Sequence, residues 1–169
     1  MILTPYDRFA AVAYAHVWAY GRNPQFYDYE KLGGDCTNFA SQCVYAGSGV
    51  MNFTQTYGWY YIDANNKSPS WTGVPFFYNF MTRKEESVGP VAVDASIRMI
   101  RPGDVVQLSF DGENWNHTPV IVRVTAPLPE GIFVAAHSHD ANYRPLSSYT
   151  YKDVRFLHFL GVRRPSVSV

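Results

Sequence analysis

Gly33-Gly34-Asp35-Cys36-Thr37-Asn38-Phe39-Ala40-Ser41-Gln42 is the stretch on which the reading of the chain turns. Two glycines give a flexible turn, Asp35 has the side chain of a helix N-cap, and an apolar-periodic helix follows at once. Cys36 therefore falls in the first helical turn, where unpaired backbone N–H groups and the positive end of the helix dipole favour a thiolate. The same N–H groups can stabilise an oxyanion formed beside the sulfur. Two readings of Cys36 follow: the nucleophile of a cysteine hydrolase, or a small buried apolar residue, the usual fate of a free cysteine. The helix is expected to bury Phe39, Ala40, Cys43 and Val44 and to stop at Gly47-Ser48-Gly49.

The chain outside this stretch limits the choice. Its 169 residues suffice for one domain with a proper core, here taken as residues 1–169 with no linker dividing them. Fourteen basic and fourteen acidic residues cancel, and no basic stripe is visible, which disfavours a nucleic-acid partner. No run approaches the roughly 18 apolar residues of a membrane span. Met1 to Arg8 lacks the basic region and apolar core of a signal peptide, which leaves a cytoplasmic protein or a part of a larger or exported one. Cys36 and Cys43 are seven residues apart on the expected helix, about 10 Å along its axis and beyond disulfide reach. Without a CxxC pair, a structural zinc site is not expected either.

Before the glycine turn, Thr4-Pro5-Tyr6-Asp7 starts a helix with Thr4 as cap and a stripe of Phe9, Val12, Ala13, His16, Val17 and Tyr20. His16 on that stripe reads as a packed core histidine. An aromatic loop, Asn23 to Tyr29, leads into the turn. Beyond the cysteine helix come the aromatic region Phe53 to Tyr61, a polar surface loop Asp63 to Ser68, and a second short helix over Ser70 to Met81. The second half changes character. Strands are expected at Val105–Phe110, His117–Val124, Ile132–His139 and Phe156–Arg163, with an Asp111-Gly112 turn and Pro119 marking a strand end or edge. Helices first and an antiparallel meander after them predict an α+β domain, its N-terminal helices packed on a small antiparallel sheet or half-barrel.

A cysteine nucleophile needs a base within hydrogen-bond reach and a third group to orient that base. Of five histidines, His117 stands at a strand start after a loop, where a rigid sheet presents side chains to a cleft; its plain reading is an exposed loop histidine. If the strands around His117 and His137 pair antiparallel, His137, His139 and Asp140 become candidates for the orienting group, His137 first among them. His117 with His137-Ser138-His139-Asp140 is also compatible with a zinc site, since His-x-His on a strand points both rings one way. No HExxH helix accompanies it.

The cysteine stretch resembles the nucleophile motif of the bacterial putative amidase domain, a family related to the NlpC-type and CHAP cell-wall cysteine hydrolases with a papain-like core. Tyr14 to Trp18 with Asn23 to Tyr27 is similar to the family's leading helix and loop. Ser70-Trp71-Thr72 is similar to its Trp segment, Pro102 to Val106 to its first strand, and Asn116-His117 through Val124 to its histidine strand. Ala136 to Asp140 followed by Pro145-Leu146 is similar to its next strand and tail. The resemblance implies Cys36 as nucleophile, His117 as base, His137 as third polar residue (His139 or Asp140 as alternatives), and no cofactor or metal. It implies an amide substrate of peptide or cell-wall type, with Asp35 helping to shape its site or serving only as the N-cap; Trp71, Tyr27 or Trp59 are our candidates to line a groove for that substrate. The competing class is a papain-like binding or assembly module whose site is idle.

Overall fold

In the computed structural model, which describes residues 1–166, the chain runs β1 (Ile2–Thr4), α1 (Arg8–Trp18), α2 (Cys36–Ser48), β2 (Tyr61–Asp63), β3 (Asn66–Lys67), α3 (Pro69–Thr72), α4 (Val74–Met81), β4 (Gly89–Ala95), β5 (Val105–Ser109), β6 (Val120–Val124), β7 (Ile132–Ala136), β8 (Ala141–Pro145) and β9 (Asp153–Arg164). Apart from the short β1, the helices precede the strands of a seven-stranded antiparallel sheet, an α+β architecture. The long β9 is the sheet's spine. One of its edges carries β4; the other carries β5 and β1 end to end, and β6, β7 and β8 continue outward from β5. Both faces of the sheet are covered, and the side-chain period of two sorts residues between them. Val105, Val120, Ala135 and Leu157 face the helices, while Val106, Ile121, Val134 and Phe156 pack with Ile100, Ile132 and Leu146 on the far side.

Eleven of the thirteen residues of α2 are buried, so its polar side chains need internal partners. They find them. Thr37 meets Thr118 through their hydroxyls at 2.9 Å. Tyr14 donates to Gln42 at 2.6 Å. The indole N–H of Trp71 donates to Asn38 and that of Trp59 to Ser41, at 2.9 and 3.0 Å. Trp59 and Trp71 are thus fully buried core residues, not groove walls. The expected face of Phe39, Ala40, Cys43 and Val44 is fully buried, and the helix ends on Gly49, whose φ of 65° only glycine adopts freely.

Elsewhere the chain departs from its local signals. Thr4 belongs to β1, and α1 starts later, capped by Asp7, whose carboxylate accepts the Ala10 N–H at 2.9 Å. The buried face of α1 is Ala11, Ala15 and Ala19, whereas Phe9, Val17 and Tyr20 are exposed. Helix α1 lies against α2, and small side chains permit close approach there, which the large apolar stripe would have prevented. His16 is half-buried at the margin, its Nδ1 2.9 Å from Asn142 Oδ1 and its ring stacked on Tyr143. Gly73 divides the Ser70–Met81 helix into α3 and α4. Asp63–Ser68 contains the β2–β3 turn, not a plain loop.

Candidate active site

Cys36 opens α2, as the glycine turn implies, but Asp35 does not cap the helix. Its carboxylate, fully buried, turns away from the helix N-terminus and accepts the Tyr29 N–H at 2.9 Å and the Asn38 side-chain amide at 2.8 Å. Its other oxygen lies 2.6 Å from His137 Nδ1 and 3.6 Å from the Arg22 guanidinium. Asp35 is therefore consumed in holding the turn that presents Cys36, and it has no free edge for a substrate.

His137 belongs to the same buried cluster. Its Nδ1 faces Asp35, its Nε2 lies 2.8 Å from the Trp18 carbonyl, and its ring stacks on Phe39 at 4.0 Å. Both ring nitrogens are engaged away from His117, so His137 does not orient that ring. The sequence reading misplaced it because β7 ends at Ala136; the chain then turns, with Ser138 and His139 at φ of 58° and 61°. Strand-pair extrapolation fails across such a turn. Asp140 is drawn off as well, paired with Arg22 at 2.9 Å. The zinc alternative loses its donor set in the same way. Among the described residues no group of three or more His, Cys, Asp or Glu side chains gathers as a metal would require.

His117 shares a cavity with Cys36, though the Cys36 sulfur makes no hydrogen bond to the His117 ring. Both line a cavity of about 440 Å³ with Gly33, Gly34, Asn116 and His139. Residues 116–117 continue the β5–β6 pairing beyond Pro119: the Leu108 N–H donates to the His117 carbonyl at 3.0 Å, and the Asn116 N–H to the Leu108 carbonyl at 2.9 Å. That pairing fixes the backbone of His117 opposite the start of α2. The Cys36 sulfur lies 4.0 Å from the Asn116 carbonyl and 3.7 Å from the Thr37 hydroxyl. No described residue hydrogen-bonds the His117 ring; instead Tyr149 and Phe110 flank it, ring centres 5.5 and 6.2 Å away. His139 lines the cavity, exposed. Tyr27 is half-exposed against Tyr29 and does not line it. A larger cavity of about 560 Å³, around Tyr57, Phe76 and Arg83, shares no residue with this one.

Burial sets the protonation of the pair. It pushes the Cys36 thiol up, against the opposing pull of the Thr37 hydroxyl and the Thr118 and Thr37 backbone. Burial pushes the His117 ring down to about 4, with the charges of Arg144 and His139 acting in the same direction. At neutral pH the site therefore holds a thiol beside a neutral imidazole, not a thiolate–imidazolium pair. A histidine near 4 when folded and near 6.5 when unfolded takes its proton first in the unfolded chain. Its contribution to stability is complete above about pH 6.5 and lost progressively as pH falls to about 4, by about 3 kcal/mol in all. His117→Gln should remove that acid-side slope, read as the difference between urea unfolding free energies at pH 7 and pH 4.5 in the two proteins.

Arg144, Ser148 and Tyr149 also line the cavity, and the sequence reading missed them. They come from the end of β8 and the turn after it, where no motif or spacing marks them; only the folding of that turn beside His117 brings them to the site.

Among known proteins, the chain is 32% identical over 154 residues to the uncharacterized protein YhbB of Bacillus subtilis (strain 168), an alignment covering 88% of this chain and 45% of YhbB. The chain thus spans less than half the length of that relative. No solved structure matches. Residues 5–160, which include Cys36, His117 and the whole cavity wall, match the family described as Putative amidase domain, whose description points to hydrolysis of an amide bond. The chain belongs to the putative amidase domain family.

Proposed function

We propose that the chain is a cysteine-dependent hydrolase that cleaves an amide in a peptide or cell-wall-type peptide. Cys36 is the nucleophile, His117 the general base and acid, and the core is papain-like, of the NlpC or CHAP kind. The observation that carries this reading is the cavity that the first residue of α2 lines together with a neutral, buried histidine. As the Cys36 sulfur attacks the carbonyl carbon, its proton passes to His117 Nδ1 or Nε2. The tetrahedral oxyanion forms at the N-terminus of α2, where the Cys36 N–H is a donor of the right kind. The imidazolium then protonates the leaving amine, the C–N bond breaks, and a thioester remains on Cys36. Water, deprotonated by His117, attacks the thioester; the acid leaves and the thiol is restored. The Phe110 and Tyr149 rings flank the His117 imidazole, and the polar group that orients it in the reaction is the substrate's or water's to supply.

The test is the pH dependence of Cys36 alkylation by iodoacetamide. A shoulder should set in near pH 4, as His117 loses its proton, and run flat until the thiol itself titrates. His117→Ala should remove the shoulder and slow labelling at pH 7 by at least about tenfold. A single thiol titration, unchanged by the substitution, would favour the idle binding module instead.

A further inference from the structure

Arg144 is the one cation in the wall of the Cys36 cavity besides the histidines, and its surroundings leave it uncommitted. Its Nε donates to the Ser148 hydroxyl at 2.8 Å and its Nη2 to the Ser148 carbonyl at 3.2 Å, which fixes the guanidinium. Among the described residues nothing accepts from Nη1, and no carboxylate lies within 4 Å of the group. The other arginines around this end of the molecule are used otherwise: Arg22, for example, pairs with Asp28, Glu30 and Asp140. The cavity wall contains no acidic residue at all. Glu30, the acid tied to that wall through the Ser138 hydroxyl at 3.2 Å, is directed to Arg22.

The Tyr149 hydroxyl is buried, and apart from the Arg144 guanidinium beside it no described residue satisfies it. Buried polar groups are ordinarily satisfied, and this hydroxyl lies under the guanidinium that shares its wall of the cavity. The Arg144 guanidinium carbon lies over the Tyr149 ring, 3.6 Å from its centre. Burial raises the Tyr149 phenol, against the opposing charge of Arg144, and it stays a donor across the neutral range. Arg144 thus offers one free charged donor edge at the wall of a cavity that holds no negative charge. That is the donor set of a carboxylate site.

We propose that Arg144, backed by the Tyr149 ring, forms a carboxylate-binding subsite beside Cys36, so that the amide cleaved there carries a free carboxylate close to the scissile bond. The substrate half of this statement rests on the hydrolase reading above; the anion site does not. A bound carboxylate would also offset the charge with which Arg144 depresses His117, and so strengthen the base only when the correct substrate is present.

The experiment compares two alkylating probes of the same size and mechanism, iodoacetate and iodoacetamide, on the intact protein at pH 7.5. Cys43 is fully buried, and a Cys36→Ser control identifies the labelled residue. The ratio of the two rates, normalised to the same ratio on free cysteine, should exceed unity by about tenfold in the wild type. Arg144→Gln should bring it to about unity while leaving iodoacetamide labelling within about twofold, and Arg144→Lys should be intermediate. A normalised ratio of one in the wild type, or equal slowing of both reagents in Arg144→Gln, would overturn the subsite. Slow labelling by both reagents with the ratio preserved would count against the activated thiol and leave the subsite standing. Titration of ¹⁵N-labelled protein with sodium acetate against sodium chloride reads the same site without the thiol. Saturable shifts of the His117 ring that vanish in Arg144→Gln are expected, and their absence would reject the proposal.

Discussion

Cys36→Ala is expected to abolish acyl transfer from p-nitrophenyl acetate, eliminating both the p-nitrophenolate burst and the acetylated protein seen by mass spectrometry. The reason is chemical: Cys43, the other thiol, is fully buried two turns along α2, so no second sulfur can replace the first. The fold should tolerate the change, because Cys36 is a small side chain at a cavity edge and its sulfur makes only long contacts, 3.7 and 4.0 Å. A shift of about 1 kcal/mol or less in unfolding free energy is expected. His117→Ala should slow acylation by about a hundredfold to ten-thousandfold, the usual worth of a positioned base. Since His117 loses its proton at about 4, acylation by the wild type should stay level from pH 5 to pH 8. Turnover that persists in Cys36→Ala, or a burst insensitive to His117→Ala, would remove the thioester mechanism.

Asp35→Ala carries the largest expected loss of stability. The carboxylate is fully buried and serves four groups at once: the Tyr29 N–H, the Asn38 amide, His137 and Arg22. Removing it strands two buried donors and leaves His137 facing a void, which costs about 3–5 kcal/mol by comparison with other broken buried pairs. At this chain length that is a fall in Tm of about 10 °C. Asp35→Asn, which keeps one acceptor oxygen, should lose less. The same substitution distinguishes this role from the substrate contact that the adjacency of Asp35 to Cys36 suggests. A substrate ligand would raise KM with the melting temperature unchanged, whereas Asp35 is expected to move the melting temperature first.

Some of this protein is legible in its sequence because the signals are local. The glycine turn, the start of α2 at Cys36, its stop at Gly49 and its buried face follow from φ restrictions and a 3.6-residue period within one segment. So do the cores of β5, β6, β7 and β9, whose β-branched runs lie between turn residues. Together these carry the α+β class and bring Cys36 and His117 to one cavity.

What failed depends on partners distant in sequence. Which face of α1 is buried was decided by α2: the close approach selects Ala11, Ala15 and Ala19 over the more hydrophobic stripe. Trp59 and Trp71 look like groove aromatics until Ser41 and Asn38, on a helix buried on all sides, are seen to accept their indole protons. His137 looks like the partner of His117 until a left-handed turn after Ala136 and a buried carboxylate draw it to the opposite side of the Cys36 turn. Arg144 and Tyr149 had no sequence signal, since an uncommitted guanidinium and the ring beneath it are defined only by what surrounds them. The sequence by itself determined helix α2 and the central strands and offered Cys36 and His117 as the candidate pair, because backbone preference and hydrophobic period act within a few residues. Only the tertiary structure decided the protonation of that pair, the role of Asp35 and the charge of the cavity, because desolvation and ion pairing are properties of the packed neighbourhood.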